Sequence, residues 1–407
     1  MNVAVRPRFS EPDPAANDAC PAGRIMRVEV FQDLLAVEPV WRRLERAGTV
    51  ATPYQRYDLL AAWQRHVGIG KGVTPFIVVG TNEAGVPSFL WPFGKVKRGP
   101  LQLLQFLGGK HASFNFGLWR RDTAQAIGAG EIKSVFKQIG RQHGIDLIAL
   151  SRQQLSWQGL ANPFALLPHQ PSPDDNYRLD LDEAGAAAFE RQLSRALRRQ
   201  LRKKERKLQT LVGYRHLRAS TPCDVDRLLD GFFALKSAHL AAQGLHNVFA
   251  EPGVQSFLRE TCQHGLGDGR PVLEIHALEG GGEILALFAG TTDGRRFSSM
   301  FNTYTLGPQG RHSPGLILLR HLIADLAQRG HQSFDLSIGE ARYKRSFCKE
   351  AEALFDAFLP LTPLGAAAAA LAQAAGSIKR SIKRSPALWS TLLQVRRAIY
   401  GRKPTAR

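Results

Sequence analysis

Between Gly307 and Phe347 the chain gathers residue types that can hold an anion and move a proton. The turn Gly307-Pro308-Gln309-Gly310-Arg311-His312-Ser313-Pro314-Gly315 follows a strand ending in Phe301-Asn302-Thr303-Tyr304 and precedes an apolar helix that begins near Leu316. Amide hydrogens at a helix start lack intrahelical acceptors, point into such a turn, and with a nearby cation can hold an anion. Gly310, Arg311, His312, Ser313, Gly315 and Leu316 are so placed. Pro314 suits the first helical turn but removes one donor. After Gly330 a second strand, Ser333 to Gly339, carries Asp335 between Phe334 and Leu336, where a carboxylate needs partners. Lys344, Arg342 and His312 are the candidates for that role, and Tyr343 stands beside Lys344. Upstream, Glu274 and His276 alternate with Leu273 and Ile275 and so share one strand face. They can form a base or an exposed pair on a solvated face.

The elements that must position these residues read as an α/β chain. Arg27 to Phe31 alternates as a first strand, and Leu35 to Ala47 has helical spacing with Trp41 and Leu44 inward. Thr74 to Gly80 and Ser88 to Lys95 form a hairpin around Glu83-Ala84-Gly85-Val86. Leu101 to Gly109 is another β run, Ala124 to His143 is helical, and Asp146 to Leu150 is a buried strand. A loop rich in Pro and Asn, Asn162 to Asn176, marks a domain boundary. The second half offers a strand from Tyr177 to Leu181 and a basic helix running from a cap at Asp182 to Leu211. Helices at Cys223 to Gln243 and Gln255 to Gly265 follow, then a meander from Val272 to Thr303 and a final strand from Ala353 to Leu361. The two halves repeat one plan: helices, a meander, a helix after a polar turn, and a strand with an acidic residue, Asp146 and Asp335. The expected division is a disordered leader over 1–24, one domain over 25–175, a second over 176–362, and a basic helical tail over 363–407.

The chain has 407 residues, 44% hydrophobic and 22% charged, which is ordinary for a soluble globular protein of two domains. Cys20, Cys223, Cys262 and Cys348 form no C-x-x-C pair, which argues against a zinc ribbon and fits a reducing cytoplasm. No metal-ligand motif, Walker loop or dinucleotide fingerprint is present. The net charge of +19 is concentrated in two places. Arg195 to Lys207 holds eight basic residues and one acid, and Ala357 to Arg407 holds nine basic residues and none. Each can touch phosphate or an anionic membrane surface, or simply be a solvated helix face.

Gly282-Glu283-Ile284-Leu285-Ala286, Asn302, Tyr304, Ser313-Pro314-Gly315, Leu318-Leu319, Gly330, Phe334-Asp335, Gly339, Tyr343-Lys344 and Phe347, in that order, resemble the GNAT acyltransferase superfamily. The resemblance is closest to the CelD-type acetyltransferases of cellulose and exopolysaccharide production, over Tyr177 to Leu361 and more loosely over Val28 to Leu150. In plan the chain is similar to Fem-type peptidyltransferases, which place two GNAT-like domains side by side. The implied fold is two tandem GNAT-like domains, each a mixed, mostly antiparallel sheet flanked by helices. The implied activity is N- or O-acyl transfer from acetyl-CoA or another acyl-CoA, without a metal, to a sugar or polysaccharide-pathway acceptor. The usual pyrophosphate motif departs here to Gln309-Gly310-Arg311-His312-Ser313-Pro314-Gly315.

Such a transfer needs an amine or hydroxyl deprotonated and an oxyanion stabilised. Glu274 is then a base, Asp335 a base, an acceptor clamp or a structural ion pair with Lys344, and Tyr343 a donor to the leaving thiolate or a packing residue. Asn302 and Tyr304 contact acceptor or acyl group, and His239 belongs to the surface or to an acceptor pocket. Two rival readings stand. One is Fem-like transfer from an aminoacyl-tRNA, with the Arg195–Lys207 helix meeting the nucleic acid. The other is a catalytically silent module of polysaccharide synthesis, peripheral at the inner membrane face through its basic tail.

Overall fold

The computed structural model describes residues 27–46, 48–181, 193–339, 344, 347 and 351–385. Two large sheets share the molecule. In the first half the elements are β1 (Arg27–Phe31), α1 (Leu34–Arg46), α2 (Tyr57–Trp63), β2 (Val73–Thr81), β3 (Pro87–Arg98), β4 (Leu101–Phe106), α3 (Ala129–His143) and β5 (Leu147–Gln154). The second half has β6 (Asn176–Asp180), α4 (Arg195–Leu208), β7 (Arg215–Arg218), α5 (Pro222–Ala242), α6 (Val254–Gln263), β8 (Glu274–Gly280), β9 (Glu283–Thr292) and β10 (Arg296–Tyr304). It continues with α7 (Pro314–Gln328), β11 (Ser333–Ile338), β12 (Ala351–Glu352), β13 (Leu354–Pro360) and α8 (Pro363–Arg384).

The strand order is β1-β2-β3-β4-β5-β13 in one sheet, with Gln170–Pro171 at its edge, and β7-β8-β9-β10-β11-β6-β12 in the other. Each sheet is an antiparallel meander followed by one parallel pair, β4 with β5 and β10 with β11. The repeated plan read from the sequence is therefore present as topology. Its boundary differs from the expected one. β13 belongs by sequence to the second half, yet it lies antiparallel to β5 in the first sheet. β6, the first strand of the second half, stays in the second sheet, antiparallel to β11. The second half thus lends the first a strand, and the 176–362 segment is not a closed unit. Asp146 also differs from Asp335. It sits just before β5, accepting from the Gln102 amide at 2.8 Å and the Thr362 hydroxyl at 2.7 Å.

Apolar periodicity explains the layers. β2 and β3 are buried on both faces, through Phe76, Ile77, Val78, Val79, Phe89, Leu90, Trp91 and Phe93. α3 buries Ile132, Val135, Phe136 and Ile139 at helical spacing, and Phe136 lies 4.9 Å from Trp91 between ring centroids. This core runs without a break into Phe257, Leu273 and Phe301 of the second half. A separate cluster forms where α7 (Ile317, Leu318, Leu322, Ile323, Leu326) and α4 (Leu201, Leu208) cover the second sheet. α8 lies along β13 and β5. Its Lys379 and Lys383 pair with Asp174, and its Arg380 approaches Asp175 at 3.8 Å, so these tail cations are engaged within the molecule.

Two buried ionic groups fix the second sheet. Asp335, fully buried on β11, accepts from Arg296 Nε of β10 at 2.7 Å and from Arg296 Nη2. Ser298 Oγ at 2.7 Å and Asn176 Nδ2 of β6 at 2.8 Å complete its shell. Arg296 also pairs with Glu352 of β12 and stacks 4.4 Å from the Trp157 ring centroid. Burial raises the Asp335 carboxyl, opposed by the Arg296 charge and hydrogen bonds. Glu274, 4% exposed, takes Arg329 Nη1 at 3.1 Å and Nη2 at 2.9 Å, with His276 Nε2 at 3.3 Å. Burial alone would raise its carboxyl, but the His276 and Arg329 contacts bring it down to about 2.

Removing one partner of a buried pair strands the other. Arg296→Met or Asp335→Asn is expected to lower unfolding free energy by about 3–5 kcal/mol, read by urea melts. A loss under about 1 kcal/mol would place the pair in solvent-like surroundings. Glu274 has a folded value below its ordinary 4.5, so its stabilisation is full above that value and is lost as pH falls toward about 2. The advantage of the wild type over Glu274→Gln should be roughly 3 kcal/mol at neutral pH, shrink below pH ~4.5 and close near pH ~2. A gap that is unchanged from neutral to pH ~3 would contradict the pairing.

Candidate functional site

β10 and β11 run parallel for only three register pairs, Arg296–Ser333, Phe297–Phe334 and Ser298–Asp335. Beyond them β10 keeps its pairing with β9, whereas β11 is held by β6, and the two strands part. Two local distortions sit at the point of parting. The β9–β10 register places Ala289 opposite Phe301 and Gly290 opposite Ser299, so Met300 is an extra, unpaired residue. Gly290 is required there, since a Cβ would meet Ser298 O at 2.4 Å. On β11, Ser337 takes a left-handed backbone with φ 67°. The result is a wedge between the C-terminal ends of two parallel strands.

The first half lines this wedge. Tyr54, fully buried, donates from Oη to the Ser299 carbonyl at 3.2 Å and lies 3.1 Å from Ser113 Oγ. Ser113 Oγ is 2.9 Å from Ser337 Oγ, which links both splayed strands through one hydroxyl chain. Lys344 Nζ donates to the carbonyls of Ser337 and Ile338, each at 2.9 Å.

The turn at the open end folds as a 3-10 helix over Pro308–His312, then a left-handed Ser313 with φ 55°, then Pro314 as the first residue of α7. A Cβ on Gly310 would meet Thr305 O at 2.6 Å, so the turn folds back tightly on the end of β10. Ser313 O accepts the Leu316 amide at 3.0 Å and the Ile317 amide at 3.2 Å. The Gly310 amide donates to Gly307 O at 2.9 Å and the Ser313 amide to Gly310 O at 3.0 Å, so the Gly310, Ser313 and Leu316 amides are all engaged, which corrects their expected place among the anion donors. The Gly315 amide has no hydrogen-bond partner among the described residues. Cations supply the rest. Lys204 of α4 donates to Ser313 Oγ at 2.7 Å. Desolvation and the nearby charges of Arg311, Lys204 and Lys207 hold His312 below its ordinary value.

His239, Asn302 and Tyr304 come together beside this turn. The His239 ring meets Tyr304 edge to face at 4.5 Å, and its Nδ1 is 3.2 Å from Thr303 Oγ1. Its Nε2 is buried without a partner. Burial, and then the charge of Lys236, lower its pKa. Tyr304 Cβ lies 3.7 Å from where a Cβ on Gly315 would stand. Lys236 Nζ donates to the Asn302 carbonyl at 2.9 Å, and burial lowers its pKa. The sequence reading missed Lys236. Its three-residue spacing from His239 on α5 was the available signal.

The remaining candidates have other roles or are outside the described residues. Among the described residues Asp335 is enclosed by Arg296, Ser298 and Asn176, and not by Lys344 or His312 as expected, whereas Arg342 lies outside the described residues. Glu274 and His276 are buried, not solvated, and Glu274 pairs with Arg329 just beyond the C-terminal end of α7. The turn lies at the N-terminal end of that helix, 15 residues or about 22 Å away. Glu274 therefore cannot act as base at the turn. Lys344 is drawn to the carbonyls that end β11, and Tyr343 lies outside the described residues. Among the described residues no helix is long and apolar enough to cross a membrane.

A family model described as an acetyltransferase (GNAT) domain matches residues 195–345, from the start of α4 to beyond β11. No curated protein matches the chain. Solved structures share its fold over both halves. FemX is 8% identical, with 84% of this chain and 100% of that chain covered and a TM-score of 0.53. A conserved protein of unknown function from Bacteroides thetaiotaomicron is 10% identical, with coverage of 82% and 100% and a TM-score of 0.52. The C-terminal domain of a putative lysylphosphatidylglycerol synthetase from Agrobacterium fabrum is 12% identical, with coverage of 86% and 97% and a TM-score of 0.50. At these identities the likeness is one of fold. Residues 195–345 are thus similar to a GNAT acetyltransferase domain, and the fold of the whole chain is similar to that of FemX.

Proposed function

We propose that the chain is an acyltransferase that takes its acyl group from acyl-CoA and delivers it to an amine or hydroxyl of a sugar or polysaccharide-pathway acceptor. The observation that carries this reading is the wedge between β10 and β11, opened by the Met300 bulge and Ser337, with a cationic turn at its mouth. The residues present suit such a donor. The unpartnered Gly315 amide, Lys204 and Arg311 would hold its pyrophosphate, and the wedge between the strands would take its extended arm. When bound, acyl-CoA supplies an activated thioester carbonyl. The acceptor class follows the motif resemblance and not the geometry.

Within this reading His239 receives the acceptor proton at Nε2. It is neutral at pH 7 because burial and Lys236 lower its pKa, and Thr303 fixes its ring. Tyr304, which is exposed and packed on that ring, meets the acceptor and must move aside for it. Lys236 holds the end of β10 through the Asn302 carbonyl. A second reading, transfer from an aminoacyl-tRNA, is favoured by α4, whose Arg195, Arg198, Arg199, Arg202, Lys203 and Arg206 line one surface hollow beside the turn.

Acetyl-CoA or free CoA should raise the thermal midpoint, because a ligand bound only by the folded state stabilises it by about 2.7 kcal/mol at a hundredfold excess over its dissociation constant. Arg311→Ala should remove most of that shift. No shift at millimolar ligand, with RNA binding that falls steeply as salt rises, would replace the leading reading by the second. Neither response would leave a catalytically silent module. For acetyl transfer to a glycan acceptor, His239→Gln should lower kcat/KM by about 10²–10⁴ and abolish the acid limb of its pH profile. An unchanged acid limb would remove His239 from proton transfer.

A further inference from the structure

We infer that a second ligand site lies between the two halves, beyond the C-terminal end of α7, and that it takes a small phosphorylated molecule. A cavity of about 850 Å³ opens there, walled by Thr49, Thr52 and Arg56 of the first half and by Arg218, Arg270 and Arg329 of the second. That volume is within the range of small-molecule sites. It stands the length of α7 from the Gly307–Gly315 turn, about 22 Å, so it is not the mouth of the wedge.

The charges in its wall are unequally satisfied. Three carboxylates reach the cavity, and each is already engaged. Glu274 is doubly bonded to Arg329. Asp293 accepts from Trp157 Nε1 at 3.2 Å, Gln158 Nε2 at 3.0 Å and the Arg295 and Arg296 amides at 2.9 and 2.7 Å. Glu45 accepts the Tyr57 amide at 2.6 Å and an Arg42 contact at 3.5 Å. The guanidinium groups of Arg56 and Arg270, by contrast, have no hydrogen-bond or ion-pair partner among the described residues. Arg218 only approaches Glu274, at 3.9 Å. Arg56 is half-buried; burial lowers its pKa, and the charges of Asp58 and Glu45 offset this without a hydrogen bond to either. The hydroxyl of Thr49, in the same wall, is buried without a partner.

Arginines that enter from both halves fit a tetrahedral dianion better than a carboxylate, whose two oxygens one arginine fork can saturate. A phosphate bound there would join Arg56 of the first half to Arg218 and Arg270 of the second. The site does not depend on the donor assigned to the wedge.

Calorimetric titration of the full chain with inorganic phosphate and pyrophosphate, at salt that screens the α4 surface, tests this. The expected result is saturable binding, weakened about tenfold or more by Arg270→Ala and unchanged by Arg199→Ala on α4. Arg270 is exposed, so its loss leaves folding intact, and the response to CoA should persist in that variant. No saturation at millimolar phosphate would overturn the site. So would binding indifferent to Arg270→Ala, or binding lost through Arg199→Ala, which would put the anion on the basic helix. Acetate that bound as tightly as phosphate would overturn the ligand class.

Discussion

Arg296 is the constraint around which the second sheet is built. Its guanidinium lies in a dry interior where an isolated cation would be prohibitive, and only a complete set of acceptors makes the position tenable. Those acceptors come from separate strands, Asp335 on β11 and Glu352 on β12, while Asn176 on β6 donates to both carboxylates. A slip of β6 by one residue would turn Asn176 to the other face of the sheet and leave the group incomplete. The ionic group therefore selects a register as well as holding the strands. Trp157, stacked on the same guanidinium, ties that choice to the first half.

The wedge follows from this anchoring. β11 is fixed to β10 at Ser298–Asp335 and drawn away beyond it by its bonds to β6. The hydroxyl chain Tyr54–Ser113–Ser337 then keeps the divergence from collapsing and puts side chains of the first half at its vertex. Stability and candidate chemistry thus occupy adjacent stretches of the same two strands. Below Ser298 the charged groups Arg296, Asp335 and Glu352 are paired; above it, the Gly315 amide and His239 Nε2 have no partner among the described residues.

Much of the architecture was legible from local pattern. The apolar stripe of α7, the turn before it, the meander and the doubled plan depend on neighbours in sequence, and they stand where the spacing puts them. The partners of the ionisable residues did not follow in this way. Asp335 meets Arg296, 39 positions earlier, and Glu274 meets Arg329, 55 positions later. No periodicity links such pairs, since they meet only after the sheet has formed. Lys204 was read as one cation of a basic helix, and only the packing of α4 on the turn shows that it reaches Ser313. The assignment of β13 failed for a related reason. A strand buried on both faces has the same pattern in either sheet, and its sequence does not state which edge it joins.

The place of β13 in the first sheet bears on how the molecule is made. The first sheet keeps an open edge beside β5 until β13, which begins 200 positions after the end of β5 by residue number, has left the ribosome. During that interval the edge of β5 is exposed to wrong partners, including the same edge of another nascent chain. Synthesis and folding are therefore out of step by nearly half the chain. Because β13 closes that edge, gene fission between the halves would open the first sheet.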